Sequence, residues 1–408
     1  MKGKNARIGL KKRILLLTTL VITIIIVVAG TKADEFRNRE WARKTIGEFV
    51  RQVMRGNNEV SHSKKGYLFI VLSLALALLA ACGNNGNNGN NAAPSATSSS
   101  EPTASASATS SPSESPADAT RSIKHALGEL TLEGVPQKIV VLEWTYAEDL
   151  LALGVQPAGV ADIENMKKWI SLSTELSADV QDVGTRQEPN LEMIAALDPD
   201  LIIGVKFRHE ATYEELNGIA PTLLFDPYPP EGQGDQYQEM VDTFKTIADV
   251  VGKTAEAEAV LADLQQTYDE GKEKLAAAGK EGASFVLAMP WVDQNAVTFR
   301  VTTDNGLATK ILEQLGLKNA YQPAQFEAYG FSTAGVEILQ QVQDADYLHI
   351  TQEDNVMDTL ASNAVWNGLT FVKENRLYAL GGNVWPYGGP NSAKLMAERA
   401  ADVLSGQP

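Results

Sequence analysis

From about Arg121 to the end of the chain, short runs of aliphatic and β-branched residues alternate with stretches whose apolar positions recur every three or four residues. Strands buried on both faces read as continuous apolar runs, and helices packed on one side read as such stripes. The alternation therefore predicts α/β units on mainly parallel sheets. Residues 139–142 read as a strand, 147–153 as a helix closed by Gly154, and 158–161 as a second strand. Residues 190–197 predict a short helix leading through Asp198-Pro199 into a strand at 200–205; a helix at 213–219 and a strand at 222–225 follow. These elements predict a first lobe over 121–234.

Met240, Val241, Phe244, Ile247, Ala248 and Val251 then recur at helical spacing, as do Ala257, Val260, Leu261, Leu264, Tyr268 and Leu275 after Gly252. Thr254 is placed to cap the second of these helices, with Glu256 and Glu258 in its first turn. A helix over 254–278 would be roughly 37 Å long, enough to bridge two lobes, so 235–279 read as linking helices. A second lobe over 280–408 repeats the alternation: strands at 284–289 and 296–301, helices at 307–315 and 335–342, strands at 347–350 and 376–380, and a final helix at 392–404. Residues 190–203 and 335–350 are nearly the same phrase. In each a glutamate, Glu192 or Glu337, opens a short helix that ends at an aspartate, Asp200 or Asp346, before an apolar run. This internal repeat, with one residue inserted in its second copy, implies lobes related by a pseudo-twofold axis.

Ahead of Arg121 the pattern changes. Two apolar runs, 14–29 and 67–81, follow Lys11-Lys12-Arg13 and Lys64-Lys65, and neither reaches the roughly 20 residues of a comfortable transmembrane helix. The second run ends Leu79-Ala80-Ala81-Cys82. A basic start, an apolar stretch and small residues before a cysteine resemble a bacterial lipoprotein signal; the alternative is a short core helix with a buried cysteine. On the signal reading, 54–81 is a signal peptide starting at Met54 and the thiol of Cys82 carries the lipid. Residues 1–53 are then a non-native upstream extension from a mis-set start, because the basic stretch 31–66 would otherwise orient the first run against the positive-inside bias. Residues 82–120, rich in Gly, Asn, Ser, Pro and Ala, cannot bury enough apolar surface to offset ordering entropy and predict a flexible tether.

The formal net charge of −16 is the sum of two unlike parts: residues 1–81 hold 15 Lys and Arg against 5 Asp and Glu, and residues 82–408 hold 20 against 46. Processing at Cys82 would leave a strongly acidic protein, which excludes a general phosphate-neutralising surface for nucleic acid. The single cysteine excludes intramolecular disulfides and cysteine-based metal frameworks. Four histidines, His62, His125, His209 and His349, are too few for a cluster holding a naked metal ion. The chain has no G-x-S-x-G elbow, no P-loop and no H-E-x-x-H; no catalytic residue, cofactor or metal site is expected.

Two α/β lobes, a long helix between them and a lipidated cysteine resemble the substrate-binding proteins of ABC importers for iron chelates and cobalamin. The resemblance covers roughly 121–408. It rests on 138–162, 183–204 and 207–224, which look like the ferric dicitrate-binding proteins, and on 301–320, 336–350 and 365–380, which match the broader family. It implies the class III periplasmic-binding-protein arrangement: two Rossmann-like lobes with mainly parallel sheets joined by a single long backbone helix. It also implies a lipid-anchored, monomeric protein on the extracytoplasmic face of the cell membrane. Such a protein would capture an anionic iron(III) chelate, foremost iron(III) dicitrate, and deliver it to an ABC permease dimer with its cytoplasmic ATPase. Glu192 and Glu337 match the family's permease-docking glutamates; taken alone, an acid in a helix's first turn is also explained by the helix dipole.

Ligands of open α/β folds meet the loops beyond the carboxyl ends of the strands. Those loops contain Arg186, Arg208 and Arg300, three of only six arginines in 82–408. Guanidinium forks engage carboxylates bidentately and stay charged, so these three are the expected anion contacts, against the alternative of ordinary ion pairs. Trp144, Tyr146, Trp291, Trp385 and Tyr387 are expected as cleft walls, with core packing as the alternative, and His209 as a donor to the ligand. Hydroxamate or catecholate siderophores, haem and cobalamin are the alternative ligands. A lipid-anchored adhesion protein and an enzyme are the alternatives of another class.

Overall fold

The computed structural model describes residues 120–406 apart from 295 and 354. The lipobox with Cys82, the extension 1–53, the signal 54–81 and the tether up to residue 119 lie outside the described residues. An antiparallel hairpin, β1 (Thr120–His125) with β2 (Gly128–Glu133), opens the described chain. Arg121 donates to the carbonyl of Gly134, just past the hairpin, at 2.8 Å and to that of Val250 at 2.9 Å.

The first lobe is built on β3 (Ile139–Val141), β4 (Gly159–Val160), β5 (Gln181–Asp182), β6 (Leu201–Val205) and β7 (Thr222–Phe225). All its pairings are parallel and the order is β5-β4-β3-β6-β7. Every residue of β3 and β6 is buried, as strands covered on both faces must be. The order reverses between β3 and β6, so their carboxyl ends open a crevice at the switch point.

The second lobe carries β8 (Ser284–Asp293), β9 (Ala296–Thr302), β10 (Lys318–Asn319), β11 (Phe331–Ala334), β12 (Asp346–His349) and β13 (Leu377–Ala379). Its order is β11-β9-β8-β12-β13, with β10 also pairing β8. Here the sheet departs from the expected alternation. β8 and β9 pair antiparallel because the turn between them is too short for a crossover and Gln294 turns it at φ 47°; β9 and β11 also pair antiparallel. The second copy of the repeated phrase is a 3₁₀ helix, Val336–Val342, whose buried Val336, Leu339 and Val342 recur every three residues, the period of that helix.

Two helices join the lobes. Gln236–Val250 is capped by Asp235, whose carboxylate accepts from the amides of Tyr237 and Gln238, both at 3.0 Å. Thr254–Ala277 packs Ala257 into the first core and Leu264, Tyr268 and Leu275 into the second. Thr254 does not cap it, contrary to expectation. Gly252 at φ 67° ends the preceding helix, with the Gly252 amide bonded to the Asp249 carbonyl and the Lys253 amide to that of Ala248. That Schellman closure makes Lys253 the residue from which the next helix starts.

Candidate functional site

A cavity of about 490 Å³ opens between the lobes, lined from the first by Glu143, Arg186 and Arg208 and from the second by Arg300, Phe331 and Tyr387. Glu143 follows β3 and Arg208 follows β6, so the topological switch point brings them together: Nε of Arg208 donates to Oε2 of Glu143 at 2.9 Å. Arg186, after β5, donates from Nη1 to Oε1 of the same carboxylate at 2.7 Å. One glutamate thus ties two of the three expected arginines, with all three side chains largely buried. Arg300, on β9, makes no ion pair among the described residues; its guanidinium lies 5.5 Å from the Trp291 ring and 4.8 Å from that of Phe331.

The expected aromatics divide. Trp144 is 2% exposed, with its Nε1 donating to the Ala161 carbonyl at 3.1 Å, and Tyr146 is 3% exposed with its ring edge on Phe225. Both belong to the first core while bordering the cleft. Trp291, Trp385 and Tyr387 are only partly buried, and Tyr387 is held by Thr145, whose hydroxyl donates to its carbonyl at 2.7 Å. His209 is not available to a ligand. It is buried, its Nδ1 accepts from the Val205 amide at 3.1 Å, and its Nε2 lies 2.9 Å from the Arg186 carbonyl. That geometry needs the neutral ring with the proton on Nε2, and burial keeps its pKa below the ordinary histidine value. Its role is to hold the loop that presents Arg186.

Tyr329 and Phe331 escaped the sequence reading. Tyr329, 52% exposed, meets Tyr228 at 4.9 Å and Phe207 at 6.5 Å between ring centroids, joining the lobes across the cleft mouth. The signal was the aromatic-Gly-aromatic step Tyr329-Gly330-Phe331 in a stretch without period. Two acids on the cleft wall, Asp149 and Glu239, were also missed because they sit within helices. Burial pushes the Asp149 carboxyl well up, with Glu148 and Glu239 adding to it, and burial lifts Glu239 to about 7.

On the outer surface Glu192 stands in the first turn of Leu191–Ala196, a helix capped by Asn190, and Glu337 is the second residue of its 3₁₀ helix. Both are exposed, and neither makes an ion pair among the described residues.

A model of the periplasmic binding protein family matches residues 139–384, and the chain belongs to that family. It is 31% identical over 280 residues, 68% of this chain and 82% of its relative, to the Fe(3+)-citrate-binding protein YfmC of Bacillus subtilis (strain 168). It is equally 31% identical over 278 residues, 67% of this chain and 88% of the relative, to the iron(3+)-hydroxamate-binding protein FhuD of Escherichia coli (strain K12). Among solved structures, that of the Fe3+-Desferal bound siderophore binding protein FhuD from Vibrio cholerae superposes with a TM-score of 0.61 at 30% identity, covering 67% of this chain and 99% of that one. These relatives are binding proteins, in keeping with an interlobe cleft and no expected catalysis.

Proposed function

We propose that this protein is an extracytoplasmic substrate-binding protein that captures an anionic ferric chelate, iron(III) dicitrate first, and delivers it to an ABC permease with its cytoplasmic ATPase. The observation that carries the reading is the convergence of three guanidinium groups from both lobes on one cleft in an otherwise acidic chain. Glu143 neutralises one of the three charges. Burial holds Asp149 toward its protonated form and leaves Glu239, at about 7, only partly ionised near neutral pH, so the cleft keeps a positive excess that draws an anion in. The relatives that bind Fe(3+)-citrate and Fe(3+)-hydroxamate support the iron-chelate class.

A neutral ferric hydroxamate is the second reading. It is favoured by the ring of Phe207, Tyr228, Tyr329 and Phe331 at the cleft mouth, which offers apolar faces to a ligand without charge. Titrating intrinsic tryptophan fluorescence with each chelate separates the two: binding of ferric dicitrate at micromolar levels supports the first, and its failure beside tight hydroxamate binding overturns it. Lipidation at Cys82 would hold the protein at the membrane, and Cys82→Ala is expected to leave it unprocessed or release it to the soluble fraction.

A further inference from the structure

Glu143 ties up two of the three cleft arginines. Its Oε1 accepts from Nη1 of Arg186 at 2.7 Å and its Oε2 from Nε of Arg208 at 2.9 Å, so the carboxylate occupies the place that an oxyanion would take between the two guanidinium groups. Arg300, on the opposite lobe, makes no ion pair among the described residues. We propose that Glu143 is an internal competitor for the arginine pair: on the anion-capture reading, on which this inference rests, it shuts the cleft to small anions and yields only to a ligand with further contacts across both lobes.

Local structure holds the competitor in place. Glu143 is the cap residue of the helix Trp144–Ala152, with extended backbone at φ −139° and ψ 137°, and its Oε1 also accepts from the Trp144 amide at 3.3 Å. The next residue steadies one of the arginines: the Arg186 guanidinium lies 3.4 Å from the centroid of the Trp144 ring. Glu-Trp after β3 thus supplies Arg186 with both a counter-ion and a platform. The three charged side chains are largely buried, where a charge-assisted bond is strong and an incoming anion must replace what it breaks.

The grip is firm but incomplete. Each arginine gives Glu143 a single hydrogen bond, whereas a guanidinium carries five donors in a fork that fits a carboxylate bidentately. Nε of Arg186 is buried with no partner among the described residues. A ligand oxyanion can therefore satisfy this pair better than Glu143 does, provided that other contacts hold it there. A carboxylate on the same chain competes at an effective concentration of roughly millimolar or more. A free anion with one point of attachment falls below that threshold, and one that also engages Arg300 passes it.

The test compares the full chain as wild type, Glu143→Gln and Glu143→Asp, each titrated by calorimetry with inorganic phosphate, citrate and iron(III) dicitrate. Glutamine removes the charge; aspartate keeps it but withdraws it by one methylene from the two arginines. Phosphate and citrate are expected to bind the wild type weakly and to bind both variants at least about tenfold more tightly. Unchanged or weaker binding of phosphate and citrate in both variants overturns the proposal, since a residue that only positions the arginines would lose anion binding when changed. A gain confined to Glu143→Gln overturns it too, because removal of charge alone would then account for the effect. Gains for the small anions in both variants, with no binding of iron(III) dicitrate by any form, uphold the competitor and overturn the ferric-chelate reading instead.

Discussion

Glu143 sets how much positive charge the cleft offers, since its two carboxylate oxygens are taken by Arg186 and Arg208. The sequence placed these arginines beyond the strand ends because that follows from strand order, but it held no sign that one acid would bridge both. That contact depends on β3 and β6 being neighbours. Arg208→Ala leaves the Glu143 carboxylate with one partner and is expected to weaken binding of an anionic ferric chelate by about tenfold or more, as loss of a charge-assisted bond does; near-native affinity by calorimetry would remove Arg208 from the site. Glu239 gives a second prediction. Its carboxyl is raised by burial from 4.5 to about 7, so the folded state holds its proton more tightly than the unfolded one. The associated stability is full below pH about 4.5 and is lost as pH rises through about 7, on the order of 3 kcal/mol at the upper limit. Glu239→Gln should flatten the fall in urea midpoint between pH 5 and pH 8, and an unchanged slope would assign it to other groups.

Among the elements, those with a strong single period were legible: β7, the long helix Thr254–Ala277 and the final helix Pro390–Ser405 lie within two residues of the sequence expectation at each end. The hairpin β1–β2 and the helix Ile163–Trp169 were not, because half-exposed segments of six or seven residues mix polar and apolar positions without a clear stripe. The cap of the final helix was also invisible, since it comes from the other lobe. Glu148 accepts from the Ser392 amide at 2.6 Å and from its hydroxyl at 2.7 Å, while Gly388 and Gly389 leave room for Glu148 and Asp149 against the helix start. Glu148→Ala strands two buried donors and is expected to lower unfolding free energy by about 2–3 kcal/mol. Glu148→Gln, which keeps an acceptor, should recover part of that, and equal urea midpoints for the two variants would contradict the capping role.

For the whole molecule, the repeated phrase around Glu192 and Glu337 is readable as symmetry in the sequence alone, and both glutamates stand exposed at the starts of their short helices. We propose that they dock the loaded protein on its permease. The double substitution Glu192→Ala/Glu337→Ala should leave ligand affinity unchanged while abolishing uptake of the iron chelate by cells, and normal uptake would refute docking through them. The cleft was legible as a location but not as a charge balance, because Arg300 reaches it from an antiparallel pair that the alternation had not foretold. Arg300 is the cleft arginine without an acid partner among the described residues, which makes it the sharpest probe of anion capture in the cleft. Calorimetric titration of the full chain with iron(III) dicitrate, wild type beside Arg300→Ala, is the direct measurement. Saturable binding by the wild type and affinity lower by about tenfold in the variant are expected; no binding by the wild type, or equal affinity in both, would contradict capture of a ferric anion through these arginines.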